Sequence, residues 1–318
     1  MEKFLVTGVA GFIGYHFARE LLQKGEVVVG VDNFCNSKES KDFNSLVQFK
    51  NFSFFDLDLK ESDKYSELPS DITRIVHFAA INGTNNFYTK PIDVIESCIL
   101  PTLNLLKFAT SLNSLKKFFL ASTGEVYAGV YEFANFMFPT DENIPLAISN
   151  IFNPRWSYAA GKIAAEVITT SFLSEYEVPI VIGRIHNAYG PRMGSSHVIP
   201  DFLERAATGN YSLYGADNTR SFIFIDDLVQ AIKNLVMSLD GIGVYNLGSS
   251  KEVTIRDLAE NILKILKIES EITEFTAPMG SAERRIPDIS KYEKKFGKLE
   301  FTPIEEGLIK TIVWYQAN

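Results

Sequence analysis

Short apolar runs alternate with longer amphipathic stretches along the N-terminal part of the chain. Six of the short runs predict strands, at residues 4–6, 27–31, 52–55, 74–80, 117–121 and 179–184. Two longer stretches, 93–111 and 153–175, carry apolar residues at helical spacing and predict long helices, the first of them in spite of Pro101. Strands that alternate with helices in this rhythm predict an α/β fold with a doubly wound parallel sheet.

Gly8, Gly11 and Gly14 follow the first apolar run with the spacing GxxGxxG, and a helical pattern begins among them. Glycines at this spacing in a strand–turn–helix unit allow a tight turn, a close approach of backbone to a pyrophosphate, and close packing of helix on strand. The helix N-terminus adds free N–H groups and partial positive charge. The next strand ends on Asp32, whose carboxylate would accept bonds from ribose hydroxyls and repel a 2′-phosphate. The sequence therefore predicts NAD rather than NADP as the cofactor.

Two further strand ends supply the other candidate cofactor contacts. Asp58 and Leu59 follow the third strand, where such residues often meet the adenine, and Ala79 and Ala80 end the fourth. Small side chains at that end leave room for a cofactor in the crevice that open parallel sheets offer to ligands. The candidate contacts before residue 100 are Gly8, Gly11, Phe12, Ile13, Gly14, Asp32, Asn33, Asp58, Leu59, Ala79 and Ala80.

Beyond residue 184 the regular alternation loosens, and a smaller second part is predicted. Apolar runs at 221–225 and 243–247 still predict strands, and 254–266 predicts a helix. We expect an NAD-binding domain and a C-terminal substrate-binding part. Their expected bounds are 1–186, with returning segments near 223–247, for the first, and 187–222 with 248–318 for the second.

Composition and charge exclude several classes of protein. With 318 residues and 46% hydrophobic content, the chain suits a globular protein with one large α/β domain or two closely joined ones. The net charge is −8 without a long basic run, so no nucleic-acid partner is expected. Cys35 and Cys98 are isolated, which favours a reduced, cytoplasmic setting. No apolar run reaches membrane-spanning length, and the first strand begins too early to leave room for a signal peptide. No metal is expected, because the histidines form no paired ligand motif: His16, His77, His186 and His197.

Tyr158 and Lys162 lie four residues apart, which places a phenol and an ammonium group on one face of a helix. A tyrosine ordinarily titrates near a pKa of about 10, and we expect the neighbouring cation, helped by an oxidised nicotinamide, to lower this pKa. Such a tyrosine can take a proton from a substrate hydroxyl while a hydride leaves to NAD. The alternative is a ring that packs inward beside a lysine that extends to solvent. The glycine-rich turn upstream, and a strand that ends in hydroxyl residues, favour the catalytic interpretation.

Motifs spread over nearly the whole chain support one family. They are TGVAGFIG (7–14), HFAA (77–80), STGEVY (122–127), YAAGK (158–162), RIHNAYGPR (184–192), TRSFIFIDDL (219–228) and RRIPDIS (284–290). As a set they resemble the extended short-chain dehydrogenase/reductase family, the NAD-dependent nucleotide-sugar epimerases, dehydratases and decarboxylases. The resemblance implies a Rossmann fold, a nucleotide-diphosphate sugar as substrate, and a homodimer formed through two long helices.

The same resemblance implies roles for individual residues. Thr123 would bond the sugar hydroxyl at C4, Tyr158 would be the base, and Lys162 would orient the nicotinamide ribose. Asn187 would hold the nucleotide diphosphate, with arginines around the phosphates or the sugar. The candidate catalytic residues are Thr123, Glu125, Tyr158 and Lys162, the last two also contacting the cofactor, and the candidate substrate-binding residues are Asn187, Val198, Arg220 and Arg285.

Glu125 distinguishes the possible reactions. By resemblance, plain 4-epimerases carry a small or hydroxyl residue there, 4,6-dehydratases have Thr-Asp-Glu, and UDP-glucuronate decarboxylases have Thr-Ser-Glu-like strings. This chain has Thr123-Gly124-Glu125, so it keeps the glutamate and lacks the dehydratase's acid. The segment before the tyrosine, 154–158, and Arg285 also resemble decarboxylases. We therefore expect a UDP-glucuronate decarboxylase-like enzyme that works through a 4-keto intermediate.

Several features depart from the decarboxylase pattern. Gly124 lacks a hydroxyl, an aromatic insertion occupies 130–138, and the loop 194–198 is unusual. A nucleotide-sugar 4-epimerase or 4,6-dehydratase therefore remains an alternative. A non-catalytic NAD-sensing protein is a more remote one, because a sensor needs neither the tyrosine nor the lysine. His186 is expected beside the cofactor or in the core, without a catalytic role.

Overall fold

The computed structural model describes residues 1–132, 138–195, 197–277 and 283–318. Its strands are β1 Lys3–Thr7, β2 Val27–Asp32, β3 Phe52–Asp56, β4 Arg74–His77, β5 Lys117–Thr123, β6 Ile180–Ile185, β7 Ala188–Tyr189, β8 Ser212–Tyr214, β9 Thr219–Ser221, β10 Ile223–Phe224, β11 Gly243–Leu247, β12 Glu252–Thr254, β13 Thr273–Phe275 and β14 Arg284–Arg285. Its α-helices are α1 Phe12–Gln23, α2 Lys41–Val47, α3 Thr84–Thr89, α4 Pro91–Thr110, α5 Ser157–Tyr176, α6 Val198–Ala207, α7 Ile225–Met237, α8 Ile255–Leu266, α9 Ser290–Phe296 and α10 Ile304–Ala317.

Seven of the described strands form one parallel sheet in the order β11-β6-β5-β4-β1-β2-β3. The strand order reverses at β1, because β2 and β4 pair with its two opposite edges. Open parallel sheets bind ligands outside the carboxyl ends of the strands at such a reversal. The predicted doubly wound Rossmann fold is confirmed, and the glycine-rich turn lies at this point.

Both faces of the sheet are buried, which explains why its strands consist of continuous apolar runs. Successive side chains of a strand point to opposite faces, so Phe4 and Val6 enter one apolar cluster and Leu5 enters the other. Phe17 of α1 covers the first face, together with α7, and Leu105 of α4 covers the second face with α5. The apolar pattern of the sequence therefore correctly indicates a sheet between two helical layers.

The C-terminal part adds small sheets to this core. Described residues form β12-β9-β14, β13-β8 and β10-β7 pairings. The single strand predicted over 221–225 is wrong, because β9 ends at Ser221, β10 is a separate short strand, and Ile225 begins α7. Asp226 and Asp227 in the first turn of α7 favour a helix start there, since acidic residues complement the helix dipole. The proposed division into two domains stays a prediction.

None of the described helices combines the length and apolar character needed to cross a bilayer. The longest, α4 and α5, have twenty residues each and lie side by side on one face of the sheet. Pro101 lies inside α4, as the apolar pattern predicted.

Candidate active site

The turn after β1 brings free backbone donors to the carboxyl end of the sheet. Gly8 has φ +68°, and a Cβ atom there would lie 2.8 Å from the backbone nitrogen of Ala79. A Cβ atom on Gly14 would collide with the carbonyl oxygen of Gly8, so helix α1 packs directly on the turn. Gly11 is the N-cap of α1 and provides no side-chain cap, which leaves the first-turn amides available to an anion.

Asp32 stands beside this turn at the end of β2. Its Oδ2 accepts a hydrogen bond from the Ala10 amide at 3.0 Å, and its Oδ1 accepts one from the Phe34 amide at 2.9 Å. These bonds fix the orientation of the carboxylate relative to the turn. Asn33 follows directly, and its Oδ1 accepts a hydrogen bond from the Cys35 amide in the same loop. The arrangement fits a dinucleotide with free ribose hydroxyls, such as NAD.

Arg192 supports the turn from a distant segment, and sequence reasoning gave it no role. Its Nη2 donates to the Ala10 carbonyl at 2.9 Å, and its guanidinium lies 4.2 Å from the centre of the Tyr15 ring. A second contact joins it to Asp42 at 3.3 Å. The signals in the sequence were its place at the end of the motif RIHNAYGPR and after Gly190-Pro191, where the regular alternation breaks.

The other predicted cofactor residues lie around the same sheet edge. The Asp58 carboxylate accepts from the Lys60 amide at 2.9 Å, which shapes the turn after β3. Leu59 is buried, and its carbonyl accepts from Tyr65 at 2.9 Å. The Ala79 amide donates to the Thr7 hydroxyl at 3.3 Å, so the small residues after β4 lie against the glycine-rich turn. Phe12 and Ile13 are partly buried at the start of α1, and Ala80 is partly buried beside Tyr158.

Tyr158 and Lys162 lie in α5 beneath the end of β5. The phenol ring stacks on Phe87 of α3, with centroids 5.2 Å apart and planes 9° from parallel. The Lys162 ammonium lies 5.8 Å from the centre of the phenol ring and donates to the Ala121 carbonyl at 2.7 Å. Phe87 was not singled out in the sequence, because a lone aromatic in a short helix carries no distinctive pattern.

The pKa of Tyr158 differs in direction from the expectation. Burial raises the pKa of this phenol, and the nearby Cys98 and Glu125 act in the same direction. Burial also lowers the pKa of Lys162, although Cys98 and Glu166 oppose that change. The prediction that Lys162 lowers the pKa of Tyr158 is therefore wrong for the chain without NAD, because burial of the phenol has the larger effect.

The end of β5 presents Thr123, Gly124 and Glu125 in succession. The Thr123 hydroxyl oxygen accepts from the Glu125 amide at 3.2 Å as the cap of a short 3₁₀ turn, so its hydrogen remains available for donation. The preceding Ser122 donates instead to the buried carboxylate of Glu166. The hydroxyl of Ser122 is therefore bonded within the core, whereas the hydrogen of the Thr123 hydroxyl remains available at the strand end.

Three arginines surround the carboxylate of Glu125. Arg285 bonds it directly, Arg155 lies 3.9 Å from it, and both guanidinium groups are largely buried. Burial alone would raise the pKa of Glu125, but Arg285 and Arg155 outweigh it and hold this pKa below its usual value. Arg220 stands near the same group, and burial together with the charge of Arg285 lowers its pKa to about 10. One carboxylate against three cations leaves the cluster with an excess of positive charge.

The two consecutive arginines of the RRIPDIS motif have different positions. Arg284 is exposed and forms a bidentate pair with Glu252, with distances of 2.8 and 2.6 Å. Arg285 points to Glu125 instead, because neighbouring residues of a strand face opposite sides. Of the pair, only Arg285 belongs to the site.

Asn187 and Val198, the other two predicted substrate-binding residues, lie between the end of β6 and the start of α6. Asn187 has φ +37°, and its side-chain amide donates to the Ser221 carbonyl at 2.9 Å. Val198 begins α6 and packs against the apolar core. Parts of two segments singled out in the sequence, residues 133–137 of the aromatic insertion and Ser196 of the loop 194–198, lie outside the described residues.

Comparison with known proteins identifies the family. The model of the family described as GDP-mannose 4,6 dehydratase matches residues 5–305. The chain belongs to this family. A UDP-N-acetyl-alpha-D-glucosaminuronate decarboxylase of Bacillus cytotoxicus is 33% identical over 99% of this chain and 98% of its own length. UDP-glucuronic acid decarboxylase 1 of Danio rerio is 30% identical over 99% of this chain and 72% of its own length.

A solved structure extends the comparison to bound ligands. The UDP-glucuronic acid 4-epimerase from Bacillus cereus, in complex with UDP-glucuronic acid and NAD, aligns with a TM-score of 0.87 and 25% identity over 99% of both chains. Membership of the GDP-mannose 4,6 dehydratase family and these relatives confirm the resemblance to NAD-dependent nucleotide-sugar enzymes that the motifs indicated.

A buried polar network lies behind the site of this dehydratase-family protein. Glu166 of α5 pairs with Arg184 of β6 at 2.7 Å, and Arg184 also donates to the Tyr127 hydroxyl at 2.8 Å. The Tyr127 hydroxyl in turn bonds the Asn246 Oδ1 at 2.8 Å, and His186 Nε2 lies 3.3 Å from the same oxygen. Sequence reasoning missed this network. Its members come from four separate segments, of which only the one after residue 183 supplies two members, and no spacing in the chain links these segments.

Proposed function

We propose that this protein is an NAD-dependent nucleotide-sugar decarboxylase that acts on UDP-glucuronate or a closely related uronate. The observation that carries the proposal is the group of three arginines, Arg155, Arg220 and Arg285, around the single carboxylate of Glu125. The excess of positive charge suits a substrate that carries a carboxylate on its sugar in addition to the diphosphate. Relatives named as uronate decarboxylases support the same substrate class.

The residues around the sugar then divide the chemistry among them. NAD, when bound, would accept a hydride from C4 of the sugar, and as NADH it would return the hydride to C4 after CO₂ has left; release before that return would give the 4-keto sugar. Tyr158 takes the proton of the C4 hydroxyl, and Thr123 donates a hydrogen bond to the C4 oxygen. Lys162 would orient the nicotinamide ribose. The ketone at C4 makes the carboxylate at C5 that of a β-keto acid. The bond from C5 to the carboxylate carbon then breaks, CO₂ leaves, and the electron pair moves onto the ketone oxygen, where hydroxyl donors stabilise the enolate.

Glu125 suits this reaction better than a loss of water. Its lowered pKa keeps it ionised, so it can orient a water molecule that returns a proton to C5, but it is a poor acid itself. Gly124 carries no side chain that could protonate a departing C6 hydroxyl. Loss of CO₂ needs no such acid, whereas 4,6-dehydration does.

The remaining site residues and the assembly are part of the same proposal. The glycine-rich turn and Asp32 bind NAD, and Asn187 with Arg220 binds the diphosphate. We propose a homodimer through the two long helices, because they expose apolar side chains such as Ile92 and Val167, which are 69% and 61% exposed. The free cysteines Cys35 and Cys98 support a reduced compartment, and we propose the cytoplasm.

The reaction type can be determined from the mass of the product. The purified protein is incubated with NAD and a panel of UDP-, GDP-, dTDP- and CDP-sugars, with uronates included, and products are analysed by mass spectrometry and proton NMR. Loss of CO₂ from UDP-glucuronate is the expected result. Loss of water would instead indicate a dehydratase, and an unchanged mass with an altered anomeric proton signal would indicate an epimerase.

Tyr158→Phe tests the proposed base. This variant removes one hydroxyl from a stacked ring, so we expect unchanged NAD binding and a loss of turnover of about 100-fold or more, the range of a missing general base. NAD binding is measured by titration calorimetry and turnover by CO₂ release. Phe87→Leu serves as a control that removes the stacking partner and keeps the hydroxyl. A fully active Tyr158→Phe protein would overturn the mechanism.

A further inference from the structure

His186 fills the space that a side chain at position 124 would occupy. A Cβ atom on Gly124 would lie 2.6 Å from both Nδ1 and Cε1 of the imidazole, which is closer than real Cβ atoms approach. A Cβ atom on Gly248 would lie 2.9 Å from the Cβ atom of His186 on another side. The His186 side chain is therefore held between two glycines, with its Cβ atom near Gly248 and the Nδ1–Cε1 edge of its imidazole against the backbone of Gly124.

A chain of hydrogen bonds determines which nitrogen of His186 carries the hydrogen. Arginine can only donate, so Arg184 Nη1 donates to the Tyr127 hydroxyl oxygen at 2.8 Å. The hydrogen of that hydroxyl is then directed to the Asn246 Oδ1, 2.8 Å away. The charge of Arg184 is balanced by Glu166, which bonds it through two oxygens. The ion pair between Arg184 and Glu166 therefore sets the donor-to-acceptor direction of these hydrogen bonds.

The orientation of the Asn246 side-chain amide is fixed by its own hydrogen bonds. Its Nδ2 donates to the carbonyl oxygens of Thr140 and Asp288, both at 3.0 Å, so its Oδ1 must be an acceptor. His186 Nε2 lies 3.3 Å from this Oδ1 and must carry the hydrogen. Burial lowers the pKa of His186 to about 4, although the bond to Asn246 opposes this, so the ring is neutral at physiological pH. A neutral imidazole with hydrogen on Nε2 has a lone pair on Nδ1.

The Nδ1 atom gives the site a neutral hydrogen-bond acceptor in addition to the Glu125 carboxylate. Among the residues that the structure describes, no hydrogen-bond partner is found for it. The side chains of the neighbouring arginine cluster are donors, and the Glu125 carboxylate, which bonds Arg285, is the acceptor assigned above to a water molecule. A substrate hydroxyl that approaches the end of β5 can therefore donate to His186 Nδ1.

We propose that His186 contacts the substrate, and that its Nδ1 accepts a hydrogen bond from a hydroxyl group of the sugar ring in place of the side chain absent from Gly124. The inference rests on the proposed function, because it takes the ligand to be a nucleotide sugar. His186 holds an acceptor in the site and does not deliver a proton. The contact orients the ring and selects sugars that carry a hydroxyl at that place.

The tautomer and the contact can both be observed by NMR. The protein is loaded with NADH, which cannot accept a hydride, so that UDP-glucuronic acid binds without reacting. It is labelled with ¹⁵N-histidine, and the signal of His186 is assigned by its absence from His186→Asn or His186→Phe. We expect an unprotonated Nδ1 and a protonated Nε2 in the protein with NADH alone. UDP-glucuronic acid should move the Nδ1 signal in the direction of hydrogen-bond acceptance, whereas UDP, which has no sugar on its diphosphate, should leave it in place. A protonated Nδ1, or an Nδ1 signal unmoved at saturation with UDP-glucuronic acid, would overturn the proposal.

Affinity measurements separate a substrate contact from a structural role. His186→Phe and His186→Asn both lose the bond to Asn246, but only asparagine keeps a polar acceptor near the position of Nδ1. With NADH bound, so that the sugar does not react, we expect the Kd for UDP-glucuronic acid to rise about tenfold in His186→Phe and to stay within about threefold in His186→Asn, as for the loss of one hydrogen bond. The Kd for UDP should be unchanged in both variants. Equal weakening of UDP and UDP-glucuronic acid would show a structural role only and would also overturn the proposal.

The outcomes distinguish this inference from the proposed function. If the Nδ1 signal responds to UDP-glucuronic acid and no CO₂ is released, the decarboxylase assignment fails and the contact stands. If CO₂ is released and the signal does not respond, the contact fails and the assignment stands. If neither UDP-glucuronic acid nor any sugar nucleotide of the panel binds, both fail. The wild-type measurement provides the test even where a variant does not fold.

Discussion

Gly124→Ala perturbs the close approach of β5 to His186 by adding a single carbon atom. Ordinary contacts of a Cβ atom begin near 3.4 Å and the added carbon would lie 2.6 Å from the imidazole, so the ring or the strand must shift by about 0.8 Å. The backbone of Gly124 is not in the left-handed region, so the substitution causes no strain of its own there. The effect therefore measures the contact with His186 alone.

The cost follows from two contributions. Inserting a carbon into a packed region costs about 1–3 kcal/mol, and a weakened bond between His186 Nε2 and Asn246 adds about 0.5–1.5 kcal/mol. We expect a total loss of about 2–4 kcal/mol in the free energy of unfolding. For a chain of 318 residues, that corresponds to a fall in Tm of roughly 3–6 °C.

The assay is urea denaturation together with calorimetric melting, with Gly194→Ala as the matched control. Gly194 is exposed and an added Cβ atom there would meet nothing within 4 Å, so its free energy of unfolding should change by less than about 0.5 kcal/mol. In the background of His186→Ala the cost of Gly124→Ala should largely disappear, because the imidazole is gone. Equal stabilities of Gly124→Ala and Gly194→Ala would refute the packing argument.

Two further predictions concern charge. Glu125→Gln should preserve reversible oxidation at C4, seen as NADH absorbance, yet slow formation of the decarboxylated sugar, because the enolate left by CO₂ loss then regains its proton at C5 more slowly. Formation of that product at the wild-type rate would contradict the proposed role of Glu125. Burial lowers the pKa of His77 to about 3 and those of His16 and His186 to about 4, from 6.5 in the unfolded chain. Between those values the unfolded chain binds protons that the folded chain does not, so stability is present above pH 6.5 and is lost as the pH falls toward 4. The slope is at most about 1.4 kcal/mol per pH unit for each histidine, and urea titrations at about pH 7, 6 and 5 that gave equal stabilities would contradict the assignment.

The pattern of apolar residues and glycines in the sequence was sufficient to predict the main sheet and the turn after β1. The apolar runs predicted the seven strands of the main sheet, because both faces of the sheet are covered and its central strands are buried. The glycine spacing predicted the turn at the end of β1, and Asp32 follows from the length of one strand–helix–strand unit. Tyr158 and Lys162 could be paired because four residues make about one helical turn. The error at 221–225 has the same origin, since a short apolar run fits a strand end and a helix start equally well.

The remainder of the site was decided only by the tertiary structure. Glu125 and Arg285 are 160 residues apart and meet because a small sheet outside the main one carries Arg285 to the end of β5. His186 received no role from the sequence, because its environment consists of Gly124, Gly248 and Asn246, which lie on other segments. Periodicity records which face of an element is buried, whereas contacts between distant segments depend on strand order and on the packing of loops. The chain therefore determines its sheet and cofactor turn locally, and the charge and hydrogen-bonding character of its substrate site arise only when the fold is complete.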